Sequence, residues 1–132
     1  MTIRVKMCAG GEGGGVESDC TTPFSLIAAA TTNPTLVKKG PGKLVSIIAV
    51  NVNAAVRYLK FYDIGVVPIA GSAIPARRYA IPASTTGLGF VLAPTVPMGF
   101  QAGLAFTITG GVADNDATVV AANDVILTLE YI

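Results

Sequence analysis

The stretch Val56-Arg57-Tyr58-Leu59-Lys60-Phe61-Tyr62-Asp63 decides the fold. It has no glycine or proline, is rich in residues that suit a pleated strand, and alternates with period two. Arg57, Leu59, Phe61 and Asp63 share one face, and Val56, Tyr58, Lys60 and Tyr62 the other. Both faces are partly apolar. That pattern predicts a strand with the core on one side and a neighbouring subunit covering the other.

Working outward, short runs of the same texture recur at intervals of about ten residues, separated by Gly, Pro, Asn and Asp. The predicted strands are Phe24–Ala30, Thr35–Lys38, Lys43–Asn51, Val56–Asp63, Arg77–Pro82, Gly87–Ala93, Leu104–Thr109 and Val125–Ile132. Eight antiparallel strands at this spacing predict an all-β protein, a single jelly-roll-like β-sandwich. In the last strand Val125, Leu127, Leu129 and Tyr131 form the apolar face, while Ile126 joins Asp124, Thr128 and Glu130 on the other. Helical periodicity is absent: the Ala-rich stretch 113–122 is broken by Asp116, Thr118 and two valines.

A chain of 132 residues is one domain in size, and 52% hydrophobic against 13% charged residues is a composition that folds. The sandwich is assigned to residues 22–132 and a flexible arm or loop to residues 1–21. The arm contains Gly10, Gly11, Gly13, Gly14 and Gly15, which leave the backbone free and supply nothing to pack. Apolar runs such as Phe24–Ala30 fall far short of the roughly 20 residues that cross a bilayer, so no membrane helix is expected. The first seven residues lack the apolar core of a secretory signal. Cys8 and Cys20 are therefore expected as reduced thiols, with a disulfide stapling the N-terminal loop as the alternative.

Formal net charge is +1, unevenly distributed. Lys38, Lys39, Lys43, Arg57, Lys60, Arg77 and Arg78 face only Asp63 in residues 31–80; residues 81–132 carry Asp114, Asp116, Asp124 and Glu130 and no basic group. Either the segments interleave into a mixed surface, or they form complementary patches for head-to-tail packing of identical subunits. The basic pairs lack the interleaved aromatics of single-strand binders, so no nucleic-acid partner is expected.

The chain has no histidine, which removes Ser-His-Asp and Cys-His catalysis and His-containing zinc sites. Asp114 and Asp116 have a spacing found in carboxylate or calcium sites, but Ala113-Asp114-Asn115-Asp116 also reads as a turn. The glycine run lacks the Lys-Ser or Lys-Thr of a phosphate loop. No enzyme, cofactor or metal is expected.

The connections are unusually apolar. Ile64–Pro75 and Ala93–Phe100 hold no charge, and their prolines at 68, 75, 94 and 97 prevent regular sheet pairing. Such segments either pack over the open ends of the core or lie against another protein; on the second reading Ile64, Val66, Val67, Pro68, Ile69, Val96, Pro97, Met98 and Phe100 are the candidate protein interface, with Cys8, the five arm glycines and Cys20 as a candidate anchoring arm.

From Arg57–Asp63 onward the sequence resembles small phage and prophage virion proteins. The resemblance runs through Ile81-Pro82-Ala83, Phe100 with Gly103-Leu104-Ala105, Ile108-Thr109-Gly110-Gly111, Ala113–Asp116 and Asn123-Asp124-Val125 to Tyr131-Ile132. It implies a β-sandwich virion component of the head decoration (cement) type, a homo-oligomer, expected as a trimer, bound to the major capsid protein. The alternative it leaves is a receptor-binding or structural module of a tail fibre or spike.

Overall fold

The computed structural model describes residues 20–83 and 89–132. Among the described residues there are nine strands: β1 (Thr22–Ile27), β2 (Thr35–Lys39), β3 (Gly42–Asn51), β4 (Arg57–Asp63), β5 (Arg77–Ile81), β6 (Gly89–Leu92), β7 (Met98–Phe100), β8 (Gly103–Thr109) and β9 (Val125–Tyr131). They form a β-sandwich of two antiparallel sheets. One runs β1-β9-β3-β6, with β7 also on β3; the other runs β2-β8-β4-β5. The chain changes sheet at every connection except β4–β5 and β6–β7.

All eight expected strands are present, and the ninth, β7, was read as apolar connection. β6 pairs with Ile47–Val50 and β7 with Gly42–Leu44, so the two lie end to end along β3. Between them Pro94 and Pro97 have no N–H to donate, and Ala93–Pro97 leaves the ladder.

Inward-facing residues of the two sheets meet in one core. β3 and β9 contribute Leu44, Ile47, Ala49, Leu127 and Leu129; β4, β5 and β8 contribute Leu59, Phe61, Ile81, Leu104, Phe106 and Ile108. A register shift between Leu44 and Ser46 explains why the buried positions of β3 are three and then two apart. Phe61 is the centre of an aromatic group, with Tyr79, Phe100 and Phe106 rings at 6.0, 6.2 and 6.3 Å.

The outer face of the four-stranded sheet is also buried over β4 and β8, by the chain itself. Lys60, Tyr62, Thr107 and Thr109 are fully enclosed. Lys60 Nζ donates to Ala113 O at 2.6 Å and Asp116 O at 3.4 Å in the β8–β9 connection. Gly71 of the β4–β5 connection, at φ +86°, sits so close to Asn115 that a Cβ would come within 3.0 Å of its carbonyl oxygen. The two connections thus meet as a cover over β4 and β8. This corrects the expectation that a neighbouring subunit covers β4: the lysine that made that face look half-polar finds its acceptors in the chain's own carbonyls.

The charge asymmetry is consumed internally as well. Arg57 pairs with Asp124 at 3.0 Å, and Arg78 holds Asp114 in a two-pronged ion pair. Basic middle and acidic end interleave, and head-to-tail charge patches are not needed to account for them.

At the start of the described chain Cys20 is buried and disulfide-bonded, which corrects the reduced-thiol expectation for this residue. Thr21 Oγ1 donates to Glu130 Oε2 at 2.8 Å. Cys8 and the arm glycines Gly10, Gly11, Gly13, Gly14 and Gly15 lie outside the described residues.

Candidate functional site

The nine candidate interface residues fall into different environments. Val66, Val67 and Ile69, on the cover, and Val96, between β6 and β7, are exposed. Ile64, Pro97 and Met98 are half-buried, and Pro68 is buried. Phe100, only 2% exposed, belongs to the core rather than the surface; the Arg77 guanidinium stacks on its ring at 5.1 Å. Met98 Sδ accepts a hydrogen bond from Tyr79 Oη at 3.1 Å. Phe100 looked like connection because three residues with Pro97 before them and Gly99 among them carry no strand signal. The exposed candidates stand on connections of different sheets, so they do not form one surface. On the cover Ile74, Val112 and Val119 add to the exposed apolar group.

A second apolar surface lies on the opposite side of the molecule, and the sequence reading did not single it out. The registers place Ile27, Ile126 and Val50 side by side on β1, β9 and β3, and Ser25, Thr128, Ile48 and Val91 side by side on β1, β9, β3 and β6. These residues point away from the core, and Ile27, Ile48, Val91 and Ile126 are 63%, 46%, 67% and 47% exposed. Neither row contains a charge. The signal was Ile126, the apolar residue out of step with its polar face.

Where the β2–β3 turn, β7 and the β7–β8 turn converge there is an open cleft of about 480 Å3, lined in part by Lys38, Lys43, Asp63, Phe100 and Gln101. The Asp63 carboxylate accepts from the backbone N–H groups of Gln101, Ala102 and Gly103 at 2.7–3.3 Å. Gly103 is required there, since a Cβ would collide with the carbonyl oxygen of Ile64. Among the described residues no carboxylate pairs with Lys38 or Lys43.

Backbone hydrogen bonding, led by Gln101 N–H, holds the Asp63 carboxyl below its ordinary value. Hydrogen bonds also lower Asp114, through Arg78, and Asp116, through Thr118. Asp124 is lowered although burial alone would raise it; bonds from Ala121, Asn53 and Arg57 outweigh desolvation. A carboxylate whose folded value is depressed stabilises the fold above its unfolded value and loses that contribution as pH falls through the folded one. With no histidine to titrate, melting temperature is expected to hold nearly level from pH 7 to about 5 and fall steeply below about 4. Asp63→Asn should flatten the acid limb; an unchanged slope in pH-dependent melting would refute the assignment.

Asp114 and Asp116 serve the turn rather than a shared ligand. Asp114 faces Arg78, whereas Asp116 accepts from Gly111 N, Thr118 N and Thr118 Oγ1 at 3.0–3.1 Å. Burial lowers the Lys60 ammonium pKa, with Asp116 and Asp114 opposing. In comparisons with known proteins the chain matches no family model, no curated protein and no solved structure.

Proposed function

We propose that the chain is a structural component of a phage virion, a capsid decoration protein that binds and stabilises the major capsid shell. The observation that supports this most is the pair of exposed apolar groups on opposite sides of the sandwich, Val66, Val67, Ile69 and Ile74 on the cover and the uncharged rows of the five-stranded sheet. Isolated soluble proteins keep such patches small, and surfaces of this kind are where proteins meet. The alternation of strands between the sheets supports the jelly-roll form of the proposal. In this reading the cover contacts the shell through Val66, Val67 and Ile69, and copies of the chain associate with one another.

Attachment to purified particles tests the reading. The full chain should bind in hundreds of copies per particle, and Val66→Asp with Ile69→Asp should lower occupancy at least tenfold while leaving the circular dichroism spectrum unchanged. Retention of full occupancy by the double variant would remove the cover from the contact. The cleft with its unpaired Lys38 and Lys43 favours a second reading, a fibre or spike module that captures an anionic receptor group. Tens of copies per particle, or fewer, would decide for it.

A further inference from the structure

We infer that the outer face of the five-stranded sheet is a two-fold contact for a second copy of this chain, formed by β9 and β3 packing against β3 and β9 of the partner. The inference stands independently of the virion reading.

The first reason is the composition of the face. The rows Ile27, Ile126, Val50 and Thr128, Ile48, Val91 present mostly β-branched side chains on regularly paired strands, without a charge. Two such faces can stack about 10 Å apart with side chains interdigitating, as the two halves of a sandwich do. An uncharged flat face fits another of the same kind better than it fits the irregular, loop-built cover.

The second reason is the charge at one end of the face. Lys43 lies opposite Gly99 in the β3–β7 register, on the face away from Leu44 and Phe100, and is exposed. Glu130 lies opposite Ser46 in the β9–β3 register, on the face away from the buried Leu129. An axis along the seam between β9 and β3 exchanges these strands. It brings Lys43 of each copy to the end of the face where the partner carries Glu130. The two-fold operation therefore places unlike charges together twice, whereas sliding the copies past each other along the strands would strand both on apolar rows.

The third reason is size. Four strands at ~4.8 Å spacing and about 20 Å of strand length give roughly 400 Å2 per copy, or about 800 Å2 for the pair. That is below the ~1,200 Å2 of stable specific complexes, so the contact is weak in isolation, dissociating at roughly 10–1,000 µM. Such a contact becomes useful when other contacts already hold the copies near each other. Being isologous, it pairs copies and does not close a ring of three, so a trimer would use a different surface.

Sedimentation equilibrium of the full chain, without particles, tests this. The wild type should pass reversibly from monomer to dimer as concentration rises to about 1 mM. Ile48→Lys, at an exposed position, should abolish dimerisation while the melting temperature stays close to wild type. Lys43→Glu or Glu130→Lys alone should weaken dimerisation about three- to tenfold, and the two together should restore it. A monomer at every concentration, association unaffected by Ile48→Lys, or no restoration in the double reversal would overturn the inference. Association lost through Val66→Lys on the cover instead would overturn it in favour of the opposite side. A dimer that fails to attach to particles leaves this inference standing and the virion reading refuted; an attaching monomer does the reverse.

Discussion

Phe61→Ala is expected to lower the unfolding free energy by about 3–5 kcal/mol, the largest loss that one substitution in this core should produce. Phe61 is fully buried, and its ring meets Tyr79 edge-on at 6.0 Å, Phe106 at 6.3 Å and Phe100 in a tilted contact at 6.2 Å. Its neighbours cannot collapse into the space it leaves. β4 is flanked by β5 and β8, and its outer face lies under the cover. The cavity term therefore adds to the lost transfer term. For a domain with a total stability of about 5–15 kcal/mol, such a loss takes the protein close to the point of unfolding at ordinary temperature. Urea denaturation should show a large fall in midpoint. Ile74→Ala, at a residue 81% exposed, should move it by no more than about 0.5 kcal/mol. Equal effects at the two positions would contradict this description of the core.

Asp124→Ala is the second large effect, at about 3 kcal/mol or more. Its carboxylate, with a side chain only 8% exposed, accepts from Arg57 Nε, Asn53 Nδ2 and Ala121 N, is in ion-pair contact with Arg57 Nη2, and so joins β4 to the turn before β9. Removing it strands a guanidinium that is itself only 15% exposed, and leaves the Ala121 N–H without its acceptor. Asp114→Ala breaks an ion pair of similar chemistry whose side chains are 40% and 42% exposed to screening solvent, and should shift the denaturation midpoint far less. Chemical denaturation of the two variants side by side checks the argument, because the pairs differ in burial and in the bonds that Asn53 and Ala121 add at Asp124. Comparable losses would mean that solvent screening does not separate them.

Most strand positions were legible because period-two alternation and turn residues act locally. The final strand shows this: Val125, Leu127 and Leu129 were read as one apolar face and are all in the core. β7 was not legible, since its pairing depends on Gly42–Leu44, far away in sequence, and not on anything in Met98-Gly99-Phe100 itself. The fate of Lys60 was hidden for the same reason. The face that Lys60 shares with Tyr58 and Tyr62 reads as one covered by a neighbouring subunit, and only the return of residues 113–116 supplies the carbonyls that bury it within the chain. For the candidate site, the exposure of Val66, Val67, Ile69 and Val96 followed from apolar connections that no core could fully absorb. The uncharged sheet face required knowing that β3 lies between β9 and β6, because only that neighbourhood joins Ile48 to Thr128 and Val91.

The interruption between β6 and β7 has a further consequence. Sheet margins are templates for runaway growth into fibrils, and proteins that work at high local density must blunt them. Here one margin is broken by the departure of Ala93–Pro97, another carries Lys38 and Lys39 beside a register shift, a third carries Arg77 and Arg78, and the fourth has Pro23 as its second residue. With these margins obstructed and the outer face of the five-stranded sheet exposed, crowding favours face-to-face stacking of two copies, which closes on itself, over hydrogen-bonded zippering, which has no natural end.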